Sequence, residues 1–298
     1  MRVAVVDIGS NTIKLKIFDV FSNDLKEIYS EVKNSKLISY IVDKKLSPEG
    51  LLLLCNTITE LKLRAEKYGF DVFSCFATAS LRRTDNSYEI IKTVYDITNE
   101  KIDLIDGNNE AYLSFLGVKM TLSDFPEKGI LLDMGGGSTE IVSFNKSDIE
   151  NSYSMNFGSL SLFLDYPDND FDKMQSFAVN LLKQCNFYPI KTKHAVLVGG
   201  TALAINKLYN LTFDNTSKHT MELSKLVKLY NNLKTNDHNV KNFLKENVPD
   251  RTTTVIPGLA AYVGIFKECS VENIIVSTAG IREGYVFEKI INSTEKKQ

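Results

Sequence analysis

The chain has 298 residues, 43% of them hydrophobic and 24% charged, which is the composition of a folded soluble protein and enough length for two domains. A net charge of −2 excludes a global field that would draw the chain onto nucleic acid or an anionic membrane, so neither is expected as a partner. Four scattered cysteines without CxxC spacing, and only three histidines, speak against a zinc site or a disulfide framework. With no secretory apolar region at the start, and no apolar run long enough to span a bilayer, the expected setting is cytoplasmic.

The first apolar run, "VAVVDI", predicts a buried strand ending before Gly9. The next, "IKLKIFDV", alternates, with Ile13, Leu15 and Ile17 on one face and Lys14 and Lys16 on the other, so it predicts a second strand. The intervening "DIGSNT" therefore joins strand to strand. That separates it from the two familiar phosphate loops, which run from strand to helix, and neither GxxxxGK[ST] nor GxGxxG occurs. Ser47 and Pro48 predict the cap and first turn of a helix through "LLLLCNTITELKLRAEKYG", closed by Gly69. A strand at "VFSCFAT", a helix at "SYEIIKTVYDIT" and a strand at "KIDLID" continue an α/β alternation.

The pattern then restarts. "GILLD" and "TEIVSF" predict strands on either side of "MGGGS". Helical spacing follows at Phe171, Met174, Phe177, Leu181 and Cys185, with Met174 expected in the core. Strands at "HAVLVGG" and "NIIVST" and helices at "ELSKLVKLYNNL" and "REGYVFEKII" complete the second half. The reading is an α/β chain made of two duplicated domains, residues 1–125 and 126–298, with ligand expected in the cleft between them.

The two hairpin loops align. Asp7, Gly9, Ser10, Asn11 and Thr12 match Asp133, Gly135, Gly136, Gly137 and Ser138. Glycines admit a phosphate to the backbone N–H groups of a tight turn, and Ser10, Asn11, Thr12, Ser138 and Thr139 can add side-chain donors. Asp7 and Asp133 would repel phosphate unless a metal lay between. Mg2+ suits such carboxylates, with Glu140 as a further candidate ligand.

In order and spacing, "DIGSNT", "ATASLRRTDN", "DGNNEAYLSFLGV", "LLDMGGGSTEIV", "VGGTA" and "STAGIREG" resemble the exopolyphosphatase and guanosine pentaphosphate phosphohydrolase family, in its short two-domain form. The resemblance implies an actin-like, sugar-kinase-like fold and hydrolysis of a terminal phosphate from polyphosphate or guanosine pentaphosphate. It implies Glu110 as the base that activates water and Arg82 as a phosphate ligand. The two loops would hold phosphoryl groups, and Asp133 and Glu140 would stand near Mg2+. Gly199, Gly200 and Thr201 would line the cleft, Arg282-Glu283-Gly284 would support the fold, and Arg83 and His219 receive no site role. A basic track for a long polyphosphate could draw on Lys14, Lys16, Lys44 and Lys45. A phosphotransferase and a non-hydrolysing guanosine polyphosphate sensor are the competing readings. A homodimer is compatible with the sequence, with no legible interface.

Overall fold

The structure, a computed structural model, describes all residues except 22–23, 147 and 292–298. Its contacts divide the chain into two compact units, Met1–Leu113 with Ile281–Gln298, and Ser114–Gly280.

The first unit holds β1 (Arg2–Ile8), β2 (Ile13–Phe21), β3 (Asp24–Lys33), the short pair β4 (Ile41–Val42) and β5 (Lys45–Leu46), then α1 (Pro48–Glu66), β6 (Val72–Ala77), α2 (Ala79–Arg82), α3 (Ser87–Thr98) and β7 (Ile102–Leu104). Helix α4 (Gly107–Thr121) starts in this unit and ends in the second. The division expected at residues 125 and 126 falls after α4 rather than inside it, and does not return the C-terminal segment to the first unit. A helix that continues through a boundary has no break for a sequence to reveal; the Phe125-Pro126 punctuation follows the end of the helix instead.

The second unit holds β8 (Lys128–Met134), β9 (Thr139–Asn145), β10 (Asp148–Met155), α5 (Ser159–Asp165), α6 (Phe171–Leu182), β11 (His194–Val198), α7 (Gly200–Phe213), β12 (Thr220–Glu222), α8 (Leu223–Leu233), α9 (His238–Asn247), α10 (Val255–Cys269) and β13 (Asn273–Val276). Helix α11 (Ile281–Tyr285) and the π-helical turn Val286–Ile291 belong to the first unit.

The duplication is visible in the sheets. The first has the order β3-β2-β1-β6-β7 and the second β10-β9-β8-β11-β13-β12, the same order with one added edge strand. In each, an antiparallel hairpin and a third antiparallel strand form one side, and parallel strands follow on the other. In parallel α/β sheets ligands gather at the carboxyl ends of the strands, and both glycine loops stand there, after β1 and after β8.

The local signals act as expected. Ser47 Oγ accepts the Gly50 N–H at 3.2 Å, and Gly69 takes a positive φ of 68° after α1. Ile13, Leu15 and Ile17 are wholly buried in the first core, as is Met174 in the second. Lys16 behaves differently from its expected place on a basic track. It is mostly buried and ion-paired to Glu283 at 2.8 Å and Glu27 at 2.7 Å, both carboxylates of the same unit.

Candidate active site

The two hairpin turns repeat one hydrogen bond. Gly9 N–H donates to the Thr12 carbonyl at 3.0 Å, and Gly135 N–H donates to the Ser138 carbonyl at 2.9 Å. A Cβ on Gly9 would stand 2.9 Å from the Thr12 oxygen, so a side chain there would open the turn.

In the first unit the Ser10 carbonyl accepts from Ile38 N–H at 3.1 Å and the Asn11 carbonyl from Lys36 N–H at 2.8 Å. The planar trans peptide points its N–H opposite its C=O, so the Asn11 and Thr12 N–H groups face away from that segment. Ser10 and Thr12 are buried. Asp7 faces cations of its own chain. Lys14 is its cross-strand partner, and Arg282 Nη1 lies 3.8 Å from Asp7 Oδ2.

Arg82 and Glu110 meet in this unit. Arg82 Nη1 donates to Glu110 Oε2 and to the Ile105 carbonyl, each at 2.8 Å. Arg82 closes α2, which Ser80 anchors by donating Oγ–H to the Ile8 carbonyl, the last residue of β1, at 2.5 Å. Glu110 lies in the first turn of α4 and is 8% exposed. Asp106 caps that turn, accepting the Asn109 N–H at 2.9 Å and the Asn109 Nδ2 at 2.6 Å. These hydrogen bonds, the backbone one foremost, hold the Asp106 carboxyl below its ordinary value.

Because its folded value is depressed, this cap stabilises the protein above the ordinary aspartate range near pH 4, and its contribution is lost as pH falls through the folded value. Asp106→Ala should cost about 1 kcal/mol in a urea melt at pH 7, and the difference from the parent should shrink in acid. A constant difference down to about pH 2 would remove Asp106 from the cap.

In the second unit the turn is held from behind by α5. Ser159 N–H donates to the Gly135 carbonyl at 3.0 Å, and Leu160 and Ser161 N–H donate to the Gly136 carbonyl at 3.0 and 2.9 Å. By the same planarity the Gly136 and Gly137 N–H groups face away from α5, the disposition of an anion nest. Ser159 Oγ also lies 3.0 Å from Thr201 Oγ1.

The acids here differ from those of the first loop. Asp133 and Glu140 are cross-strand partners, the positions held by Asp7 and Lys14 in the first hairpin. Two carboxylates directly opposite repel one another unless something offsets their charge. Ser114 Oγ donates to Asp133 Oδ2 at 2.5 Å, and Ser154 Oγ to Glu140 Oε1 at 2.7 Å. Ser114 follows Glu110 by one turn on the same face of α4. Among the described residues no group of three or more His, Cys, Asp and Glu side chains forms a metal-binding cluster. Two hard carboxylates with hydroxyl neighbours do fit Mg2+, which keeps several of its waters and takes one or two carboxylates from protein.

The "VGGTA" segment opens α7. Gly199 has φ 94°, and a Cβ there would come 3.0 Å from Asp133 Oδ1. A Cβ on Gly200 would come 2.3 Å from Arg251 Nη2, so the half-buried Arg251 guanidinium lies directly on this turn. Sequence reasoning missed Ser114, Gly158, Ser159 and Arg251. Only the "GLG"-like role of glycine at 158, next to an apolar run, left any signal, and it was too weak to separate from an ordinary turn. A groove of about 500 Å³ beside Phe73, Cys75, Tyr95, Asp103 and Tyr285 contains none of these residues.

The fold and these turns define a class: an actin-like α/β protein with one phosphate-type glycine turn on each of two related units. The chain belongs to the Ppx/GppA phosphatase family, whose profile matches residues 17–293. It resembles the crystal structure of an exopolyphosphatase from Cytophaga hutchinsonii with a TM-score of 0.85 at 19% identity, covering 98% of each chain. It also resembles the Aquifex aeolicus PPX-GPPA enzyme, with a TM-score of 0.78 at 22% identity over 96% of this chain and 98% of that one. A bifunctional 3-dehydroquinate synthase/phosphatase of Fusobacterium nucleatum is 27% identical over 97% of this chain, which spans 46% of that protein's length. No helix among the described residues is long and apolar enough to cross a membrane.

Proposed function

We propose that the protein hydrolyses a terminal phosphoanhydride, with inorganic polyphosphate as the substrate and guanosine pentaphosphate as the second reading on the same chemistry. The observation that carries the proposal is the pairing of Glu110 with Arg82 at 2.8 Å in the unit whose Gly9 turn offers its N–H groups to an anion. Phosphoanhydride hydrolysis needs an aligned water, charge on the phosphoryl oxygens offset, and little covalent help from protein. Glu110 is the carboxylate to take the proton from that water, and Arg82 the cation to meet phosphoryl oxygen.

The second unit contributes the Gly135–Ser138 turn, with Ser138 and Thr139 beside it. Asp133 and Glu140 would hold Mg2+, which when bound supplies charge neutralisation for phosphoryl oxygens. Asp7 is not included in that set, since Arg282 and Lys14 already face it. Arg251, lying on the Gly199-Gly200 turn, adds a cation without any sequence motif having pointed to it.

Phosphate release should be followed from long polyphosphate, tripolyphosphate and guanosine pentaphosphate in parallel, with and without excess EDTA. The proposal expects release from at least one substrate, abolished by the chelator. Faster turnover of guanosine pentaphosphate than of either polyphosphate would favour the second reading. Binding without release from any of them would overturn hydrolysis.

A further inference from the structure

Helix α10 is buried along nearly its whole length, and Tyr262 at its centre is 0% exposed. A phenol inside such a helix normally finds a hydrogen-bond partner. Among the described residues the Tyr262 hydroxyl has none, and neither has Thr254 Oγ1, two turns earlier. Thr254, Gly258 and Tyr262 follow one another at four-residue intervals and so share a face of the helix.

That face lies against the second glycine turn. A Cβ on Gly258 would come 2.4 Å from Thr201 Cγ2, 3.3 Å from Met134 Sδ and 3.4 Å from Ser159 Cβ. Tyr262 faces the Asp133 carboxylate and the Met134 peptide, whose N–H approaches the phenol without reaching hydrogen-bond geometry. Burial first, and the Asp133 charge second, push the phenol well above its ordinary value, so it remains a donor. Phenylalanine would fill the same space without leaving a buried hydroxyl unbonded. Packing therefore does not account for the oxygen.

We infer that Tyr262 is a positioning residue for Asp133: its hydroxyl is a second donor, beside Ser114 Oγ, that fixes the carboxylate when the site is loaded. The inference rests on the phosphohydrolase reading only for its kinetic consequence. In the unloaded protein Asp133 is held by Ser114 alone of these two hydroxyls.

The test is Tyr262→Phe in the full chain, read in three ways. Since the hydroxyl is unbonded in the free protein, the thermal midpoint should be unchanged or raised. The kcat should fall about tenfold with KM nearly unchanged, the size expected from one lost hydrogen bond to a charged group. Calorimetric titration of the substrate-free protein with Mg2+ alone should show several-fold weaker binding. A lowered midpoint would assign the hydroxyl to the fold and overturn the inference, as would wild-type kcat together with wild-type Mg2+ binding. If the parent releases no phosphate, the phosphohydrolase reading fails, and the Mg2+ titration alone decides the role of Tyr262. A parent that neither releases phosphate nor binds Mg2+ overturns both.

Discussion

Glu110→Gln should lose about 10²- to 10⁴-fold in kcat, the span of general-base contributions, while tripolyphosphate binding stays within a few-fold of the parent. The substitution removes basicity and leaves shape. The glutamine amide oxygen can still accept from Arg82 Nη1, and that same nitrogen keeps the Ile105 carbonyl at 2.8 Å. Removing one partner of a fully buried ion pair can cost several kcal/mol, but the Arg82 side chain is 20% exposed and its lost attraction is partly screened by water. The folded state should therefore survive, and a melt recorded beside the kinetics separates lost chemistry from lost structure. Turnover within threefold of the parent would remove Glu110 from the role of base.

Gly158→Ala should lower kcat/KM by about 10²-fold without touching any residue of the proposed chemistry. At Gly158 φ is −143° and ψ 179°, an extended conformation that alanine adopts freely. The difficulty is space. A Cβ would stand 2.5 Å from the Gly135 oxygen, 2.5 Å from the Gly136 carbonyl carbon and 2.6 Å from the Gly137 nitrogen. All three are backbone atoms of the turn and cannot swing aside as a side chain would. The turn itself has to move by roughly 1 Å, enough to disturb an aligned phosphoryl group, and overpacking of this kind also costs about 1–3 kcal/mol of stability. The measurement is steady-state kinetics with a urea melt. Parent-like kinetics would mean that the α5 side of the turn gives way and that the Gly135–Ser138 nest is not held from behind.

Much of the frame was legible because it is written in local pattern. Alternation in "IKLKIFDV" and the Asp-to-glycine strand ends in both halves predicted two hairpins, and both formed with the expected residues inside. Ser47, Pro48 and Gly69 marked the ends of α1 through their own capping chemistry. The unit boundary was less legible, since α4 runs through it without a break. Lys16 was misread because its polar face on β2 was known but its partners were not. Glu283 lies far along the chain, and no spacing rule connects it to Lys16. The apolar run "IPGLAAYVGIF" showed only that something buried lay there, so neither the helix nor the phenol within it could be placed.

The sequence alone determined the repeat, the two glycine turns, the acids that follow them and the family, because these depend on residue type at fixed short separations. Tertiary structure decided which charge answers which. It set Arg82 on Glu110, gave Asp7 the company of Arg282, paired Asp133 with Glu140 across the hairpin, and brought α5 and α10 against one turn. Those pairings join residues far apart in the chain, where strand register and helix packing, rather than any local preference, select the neighbour.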